Sequence, residues 1–180
     1  YRIAPRKKNP IFTIGWIGSP VTAEYLNLVS TALAEVCMNG AARLVLVGSG
    51  QVKLEGVPTE IHAWSEETEV TEIQSFDVGI MPMPDSAWAQ GKCGYKLIQY
   101  MACARPVVAS PVGVAPIIIN DSINGFLATT IKDWVKALCD LRESYSLRES
   151  MGKAGRMKAE KQYSIQITAP LVVSLLMSIG

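Results

Sequence analysis

Apolar runs and helical patterns alternate along most of this 180-residue chain. Continuous apolar runs predict buried strands at 12–17, 44–47, 61–64, 77–81, 106–109 and 126–128. Between these runs, apolar residues recur with a helical period over 24–38, 66–76, 95–104 and, briefly, 114–119. Strands that are apolar on both faces and alternate with helices predict a doubly wound, Rossmann-like α/β fold, with a mostly parallel sheet of about six strands.

The two ends of the chain differ from this central pattern. The polar start is typical of a linker, and three helices are predicted after the last strand, at 133–144, 147–161 and 165–179. We therefore divide the chain into a linker (1–10), a Rossmann-like domain (11–162) and a C-terminal helix (163–180). The closing apolar run is shorter than the ~20 residues that span a bilayer, so it is interpreted as a helix that docks on a missing part of a larger protein.

Composition excludes several classes of function. The chain is 49% apolar and 18% charged, which is typical of a globular protein, and its net charge of +1 argues against a broad nucleic-acid surface. His62 is the single histidine, so a multi-histidine zinc site is excluded. Four scattered cysteines without a C-x-x-C pair favour reduced, mostly buried thiols in a cytoplasmic protein over disulfides or metal binding.

Glycine and proline cluster where the predicted strands end, in G-W-I-G-S-P, V-G-S-G, P-M-P-D and S-P-V-G. Ligands of doubly wound sheets bind beyond the carboxyl ends of the strands, so these turns predict a ligand site. Gly18 and Ser19 could offer N–H and hydroxyl groups to a phosphate, although a tight turn that needs glycine explains them equally well. The dinucleotide fingerprint G-x-G-x-x-G is absent.

The stretch Q-G-K-C-G-Y-K-L-I-Q at 90–99 places lysine and glycine in front of a predicted helix. Unpaired N–H groups at a helix start attract anions, by about 0.3–1 kcal/mol, and a lysine hydrogen bond to phosphate adds about 1.5–3 kcal/mol. Phosphate contacts are therefore predicted for Lys92, Gly94, Tyr95 and Lys96, and Gln99 lies on the same helical face as Lys96. The alternative is that Lys96 is only a solvated helix residue.

Three other residues have two interpretations each. Trp64 closes the predicted strand at 61–64 and could lie beside a nucleobase, but a core tryptophan is favoured. Asp85 and Trp88 either line a sugar pocket or order the loop at 82–94. No Ser/His/Asp arrangement, H-E-x-x-H motif or Walker loop is present, so the catalytic residues stay unknown.

The run D-V-G-I-M-P-M-P-D-S-A-W-A-Q-G-K-C-G-Y-K-L-I-Q-Y-M-A-C-A-R-P-V-V-A-S-P-V-G, continued by N-G-F-L-A, resembles the nucleotide-sugar-binding half of a GT-B glycosyltransferase of group 1, family GT4. With G-W-I-G-S-P the resemblance covers roughly 11–130. It implies two Rossmann-like domains, with the donor bound by the C-terminal one and the acceptor by an N-terminal one. It also implies sugar transfer from a nucleotide-diphosphate donor with retention of configuration, without a cofactor or an obligatory metal.

The resemblance also assigns residues. Members of the family often carry two glutamates at the positions of Gly91 and Gln99. By this match Gln99 holds the ribose hydroxyls without a charge, while Gly91 has no side chain to contact the transferred sugar. Gly94, Tyr95 and Lys96 match the groups that contact the diphosphate, and Lys92 takes a share because the usual cations after the first strand are absent.

The implied partners are a nucleotide sugar and the missing N-terminal domain, with no nucleic acid. Peripheral membrane association through the N-terminal half stays open, and the isolated domain is expected to be inactive. Three alternatives remain: a nucleotide-binding domain without transferase activity, a GT-B-like UDP-sugar epimerase, and a protein-interaction domain built on the apolar C-terminal helix.

Overall fold

The computed structural model describes residues 1 and 9–178 and contains a six-stranded, fully parallel sheet. The strands are β1 (Phe12–Ile17), β2 (Ala42–Val47), β3 (Thr59–His62), β4 (Val78–Met81), β5 (Val107–Ala109) and β6 (Gly125–Leu127). Their order in the sheet is β3-β2-β1-β4-β5-β6. The predicted fold class is thereby confirmed. The predicted linker lies mostly outside the described residues, as do the last two residues of the chain, and the division into domains stays a prediction.

Nine α-helices connect or follow the strands within the described residues. They are α1 (Pro20–Ala23), α2 (Ser30–Cys37), α3 (Glu66–Ser75), α4 (Ala87–Gln90), α5 (Tyr95–Ala102), α6 (Ala115–Ile118), α7 (Ile131–Glu143), α8 (Tyr145–Lys158) and α9 (Ile165–Met177). A 3-10 segment (Glu24–Val29) separates α1 from α2, and a π-helical turn (Ala159–Tyr163) follows α8.

The continuous helix predicted over 24–38 is wrong in its start and its continuity. The helical segment begins at Pro20, because Ser19 has extended backbone angles and proline is favoured in the first helical turn. Thr22, which precedes the predicted start, lies inside α1, and its hydroxyl donates to the Ser19 carbonyl at 3.1 Å. The consequence is that Thr22 lies near the end of β1, where it reaches the ligand pocket.

Both faces of the sheet are buried along β1, β2, β4 and β5, as the continuous apolar strands predict, but the predicted buried strand at 61–64 is wrong, because β3 at the sheet edge has no buried residue. One cluster packs α2 and α7 on the sheet and includes Trp16, Leu44 and Trp134. The other packs α5 on the opposite face and includes Tyr100 and Val107. Helix α9 differs, since none of its described side chains is buried. No helix in the described part of the chain is both long and apolar enough to cross a bilayer.

A side chain of helix α5 packs directly over a glycine of β4. A Cβ at Gly79 would lie 2.4 Å from the Tyr100 ring, which is fully buried. The Tyr100 hydroxyl accepts a hydrogen bond from the Ile17 N–H at 3.0 Å and donates to the Ile80 carbonyl at 3.4 Å. Tyr100 therefore fastens α5 to the ends of β1 and β4, the two strands between which the chain order reverses.

Candidate functional site

A cavity of about 570 Å³ opens at this point of reversal, beyond the carboxyl ends of the strands. Its volume is in the range of small-molecule sites. The structure brings all eight predicted binding residues together in its lining: Gly18, Ser19, Trp64, Lys92, Gly94, Tyr95, Lys96 and Gln99. Their individual roles stay predictions, but their convergence follows from the fold.

Lys96 is the most enclosed cation of this pocket. Its Nζ donates to Thr22 Oγ1 at 3.2 Å and lies 4.4 Å from the centre of the Trp16 ring. It pairs with no carboxylate in the part of the chain that the structure describes. A partly buried ammonium with one hydroxyl and one aromatic face for partners is suited to receive an anion. This environment is more enclosed than that of a solvated helix lysine.

Gly94 shapes the start of α5. It adopts a left-handed conformation, with φ of 68°, and a Cβ there would lie 2.6 Å from Ile118 and 2.9 Å from Val114. No side chain among residues 1 and 9–178 caps this helix. The first N–H groups of α5, at Tyr95 and Lys96, therefore have no side-chain partner and belong to residues that line the pocket, where a bound anion would satisfy them.

Two glycine turns close the opposite wall. The Gly18 N–H donates to the Val47 carbonyl at 3.0 Å, and a Cβ at Gly48 would lie 2.5 Å from the Gly18 carbonyl oxygen. A Cβ at Gly18 would lie 2.6 Å from Lys96 Nζ and 2.7 Å from the Trp16 ring. Glycine at 18 is thus favoured mainly by the buried Trp16 ring, which cannot easily move aside, whereas the Lys96 ammonium is the end of a flexible side chain and could shift.

Polar groups converge at one end of the pocket. Trp64 Nε1 donates to Glu69 Oε2 at 2.9 Å, and the Tyr1 hydroxyl donates to the same carboxylate. Gln99 Nε2 donates to the Tyr1 hydroxyl at 3.0 Å. Gln99 is buried, whereas Trp64 is 53% exposed. This end therefore combines an exposed indole with a carboxylate and an amide, groups that can bind the hydroxyls and the ring of a nucleoside.

Desolvation, with a smaller effect from the positive charge of Lys92, lowers the pKa of Lys96 to about 8. In the free protein the ammonium is present below about pH 8 and is lost above it, so an anion bound at higher pH must also take up a proton. In the unfolded chain the Lys96 ammonium keeps its proton up to its ordinary pKa. Between the lowered pKa of the folded protein and this ordinary pKa, the free energy of unfolding should therefore rise with pH, whereas the affinity for an anion should fall.

If the nucleoside diphosphate that the sequence resemblance implies binds here, its affinity should fall about tenfold between about pH 7 and pH 9. Isothermal titration at several pH values measures this, and Lys96→Met serves as the control because its affinity should be nearly independent of pH over the same range. An identical pH profile in the wild type and in Lys96→Met would contradict the assignment to Lys96.

Among the described residues, no group of three or more His, Cys, Asp and Glu side chains could hold a metal ion. The cysteine prediction is correct in part. All four thiols are free, and Cys37 and Cys103 are buried, but Cys93 is exposed at the edge of the pocket. Burial raises the pKa of the Cys37 and Cys103 thiols to about 11.

The sequence profile of the family described as "Glycosyl transferases group 1" matches residues 11–144. This match covers all six strands of the sheet and the whole pocket wall formed by α5. The chain belongs to the group 1 glycosyl transferases.

Curated relatives of this group 1 chain include two transferases. A sulfoquinovosyl transferase of Arabidopsis thaliana is 28% identical over 167 residues, which are 86% of this chain and 31% of that protein. A D-inositol 3-phosphate glycosyltransferase of Paenarthrobacter aurescens is 32% identical over 102 residues, covering 56% of this chain and 24% of that protein. The chain thus spans a third or less of the length of these relatives.

Solved glycosyltransferase structures have the same fold. TarM of S. aureus, in a complex that contains UDP, superposes with a TM-score of 0.76 at 20% identity, over 97% of this chain and 37% of that chain. HepE of Anabaena, in complex with UDP and glucose, superposes with a TM-score of 0.76 at 15% identity, over 93% of this chain and 48% of that chain. At these identities the likeness concerns the fold.

The structure corrects one interpretation of this group 1 site and adds residues to it. Trp64 is not a core tryptophan: β3 ends at His62, so Trp64 lies on the loop beyond it and stays exposed. Thr22 and Glu69 line the pocket but were not predicted, and Gly48 lines it as part of the V-G-S-G turn, which was predicted to lie at a ligand site without a role for Gly48 itself. The glycine of V-G-S-G was a usable signal for Gly48, whereas Glu69 looked like one of several acids in the first turn of a surface helix.

Proposed function

We propose that this protein is a retaining glycosyltransferase of the GT4 type and that the chain is its donor-binding half. In this proposal a sugar is transferred from a nucleotide-diphosphate sugar to an acceptor bound by an N-terminal domain. The observation that carries the proposal is the Lys96 ammonium, partly buried and unpaired by carboxylate in the described residues, at the open start of α5. The convergence of this cation with Gly18 and Gly94 supports a diphosphate as the ligand.

The chemistry of transfer requires such a site. When the bond between the sugar and the diphosphate breaks, negative charge grows on the leaving diphosphate, and preorganised donors that face it stabilise the transition state. Lys96, the N–H groups of Tyr95 and Lys96, and Lys92 at the pocket edge are assigned this role. Because Lys96 and the two N–H groups are held by the packed α5 helix, they need little reorganisation when the charge develops.

The nucleoside is assigned to the other end of the pocket. There the exposed indole of Trp64 offers a flat surface to the base, and Gln99 and Glu69 offer an amide and a carboxylate to the ribose hydroxyls. The solved complexes of TarM and HepE contain UDP, which supports UDP as the first nucleotide to test.

Helix α9 is assigned to the contact with the N-terminal acceptor domain. Its exposed apolar side chains include Leu171, Leu175, Leu176 and Met177, each more than 60% exposed. The chain spans at most 31% of the curated relatives, so a partner domain in the same polypeptide is part of the proposal. Without it, donor binding should persist and transfer should not occur.

The direct test is the binding of UDP, GDP and ADP to the 180-residue chain, measured by calorimetry, and transfer measured with the full-length protein. We expect one nucleotide to bind with a Kd below about 1 mM, a binding free energy of about −4 kcal/mol. If none binds at millimolar concentration, the proposal is wrong. If a nucleotide binds but the full-length protein consumes no nucleotide sugar, the chain is a nucleotide-binding domain without transferase activity.

A further inference from the structure

One tyrosine hydroxyl lies between two side chains that line the pocket at the end assigned to the nucleoside. The Tyr1 hydroxyl donates a hydrogen bond to Glu69 and accepts one from Gln99 Nε2 at 3.0 Å. Glu69 belongs to α3 and Gln99 to α5, so this hydroxyl links two helices of the pocket wall. Tyr1 itself lines a second cavity of about 730 Å³, which shares Gln99 with the first. Tyr1 therefore stands behind the pocket wall and contacts two of its members.

The chemistry of these groups determines which of them donates. An ionised carboxylate only accepts hydrogen bonds and an indole N–H only donates, so Glu69 receives both Trp64 and Tyr1. Burial, and then the hydrogen bond to Glu69, raise the pKa of the Tyr1 hydroxyl, so this group keeps its proton near neutral pH. That one proton goes to Glu69. The other partner of the hydroxyl must therefore donate, which an amide can do and a carboxylate cannot.

This requirement fixes the orientation of the Gln99 amide. Its NH2 group is bonded to Tyr1, so its carbonyl oxygen Oε1 points away from Tyr1. Gln99 is only 5% exposed and lines the pocket, and no residue in the described part of the chain donates to Oε1. Because buried polar atoms are normally hydrogen-bonded, a carbonyl oxygen in this position is suited to accept a hydrogen bond from a ligand hydroxyl.

The backbone of Tyr1 is held as well as its side chain. Arg156 Nη1 donates to the Tyr1 carbonyl at 2.9 Å and also to the Ala102 carbonyl at the end of α5. Arg156 belongs to α8 and is itself held by Glu160, at 2.7 Å. One guanidinium thus ties the Tyr1 backbone to the helix that carries Gln99. The tyrosine and the amide that it orients are therefore fixed relative to each other.

We propose that Tyr1 is a positioning residue for the donor: it orients Gln99 and Glu69 so that both present acceptor oxygens to the ribose hydroxyls. This inference rests on the proposed function. It also accounts for the amide at position 99. Since Glu69 already takes the only proton of the Tyr1 hydroxyl, a carboxylate at 99 would meet a lone pair of that hydroxyl and the negative charge of Glu69.

The test measures selectivity for the ribose hydroxyls in the full-length protein. The ligand is whichever of UDP, GDP and ADP the wild type binds, and its 2′-deoxy and 3′-deoxy analogues are titrated beside it by calorimetry. We expect Tyr1→Phe to weaken binding of the ribonucleotide about fivefold, because the amide loses its orientation and with it a hydrogen bond to the ribose. Binding of the analogue that lacks the contacted hydroxyl should change less than about twofold.

Tyr145→Phe is the matched control. It removes the same hydroxyl from a tyrosine of similar exposure, 47% against 43% for Tyr1, and Tyr145 lines neither of the two cavities. Its affinities for all three ligands should equal those of the wild type. A loss of stability or of pocket shape, in contrast to a lost orientation, would weaken the ribonucleotide and its analogues by the same factor.

Gln99→Glu tests the direction of the hydrogen bonds. It should weaken binding of the ribonucleotide about fivefold while Tyr1 is present, because the new carboxylate cannot donate to the hydroxyl. In the double variant with Tyr1→Phe the hydroxyl is absent, so glutamate at 99 should cost less affinity than it does alone. The two substitutions should therefore be non-additive, as expected for side chains in one hydrogen-bonded unit.

Three results would overturn the inference. One is an unchanged affinity of Tyr1→Phe for the ribonucleotide, and another is an equal loss for the ribonucleotide and both analogues. The third is additivity of Tyr1→Phe and Gln99→Glu, since the two side chains would then act independently. In each case the wild type still binds a nucleotide, so the nucleotide site stands. If the wild type binds none of the three nucleotides, the proposed function fails first, and the role of Tyr1 fails with it.

Discussion

Lys96→Met is expected to reduce turnover of the nucleotide-sugar donor by about 100-fold or more, and to weaken UDP binding by at least tenfold. Methionine is similar to lysine in length but cannot donate a hydrogen bond to the diphosphate or offset its charge. Both losses follow if Nζ, now bonded to Thr22 Oγ1, is the main cation of the site. Steady-state kinetics on the full-length protein and UDP titration measure the two effects.

The same substitution should leave the stability of the free protein unchanged or raise it. The lowered pKa of Lys96 shows that folding disfavours its charged form, and methionine removes that unfavourable charge. A methionine side chain also packs well against the Trp16 ring that Lys96 now covers. Loss of activity together with an equal or higher Tm is typical of a residue kept for function at the expense of stability.

The control is Lys136→Met on α7, which removes a charge far from the pocket. Lys136 is 76% exposed and pairs with Asp140 across one helical turn, an arrangement that contributes little to stability. Its turnover and UDP affinity should equal those of the wild type. A fall of Tm in Lys96→Met that accounts for the lost turnover would instead give Lys96 a structural role.

The sequence predicted the sheet and the position of the pocket because both depend on strong local signals. The strand β1 was predicted with its observed bounds, and the glycines at the strand ends marked the edge where the cavity lies. All eight candidate residues line one cavity because parallel strands carry their following loops to the same edge. The binding role of each of these residues, by contrast, depends on which ligand is bound, and the sequence does not specify the ligand.

What the sequence did not predict depends on contacts between distant segments. The bond from Lys96 to Thr22 joins residues 74 positions apart, and no helical period indicates it. Trp64 resembled a core residue because its apolar neighbours extended the predicted strand by two residues beyond its true end. Helix α4 was missed because its four residues are too few for a helical period to be visible.

Gly79→Ala should destabilise the protein by about 3 kcal/mol, because an added Cβ would lie 2.4 Å from the fully buried Tyr100 ring. For a chain of this size the expected fall in Tm is about 6–12 °C. Either the Tyr100 ring or β4 must move, and α5 would shift with it, because the ring belongs to α5 and packs on that strand. The hydrogen bond from the Ile17 N–H to the Tyr100 hydroxyl should weaken with that movement. UDP affinity should therefore fall even at temperatures where the variant stays folded.

Gly91→Ala is the matched control for stability, since it makes the same chemical change in open space. Gly91 has φ of −76° and ψ of −1°, angles that alanine adopts readily. Its Cβ would have no neighbour closer than 3.6 Å, so stability should be equal or higher by about 0.4–1 kcal/mol. Thermal melts of both variants separate a steric effect from the general effect of replacing glycine. Equal Tm values for the two variants would show that Tyr100 does not need the space above Gly79. In that case contacts other than the one between Tyr100 and β4 would fix the position of α5. The position of Lys96 would depend on those contacts as well.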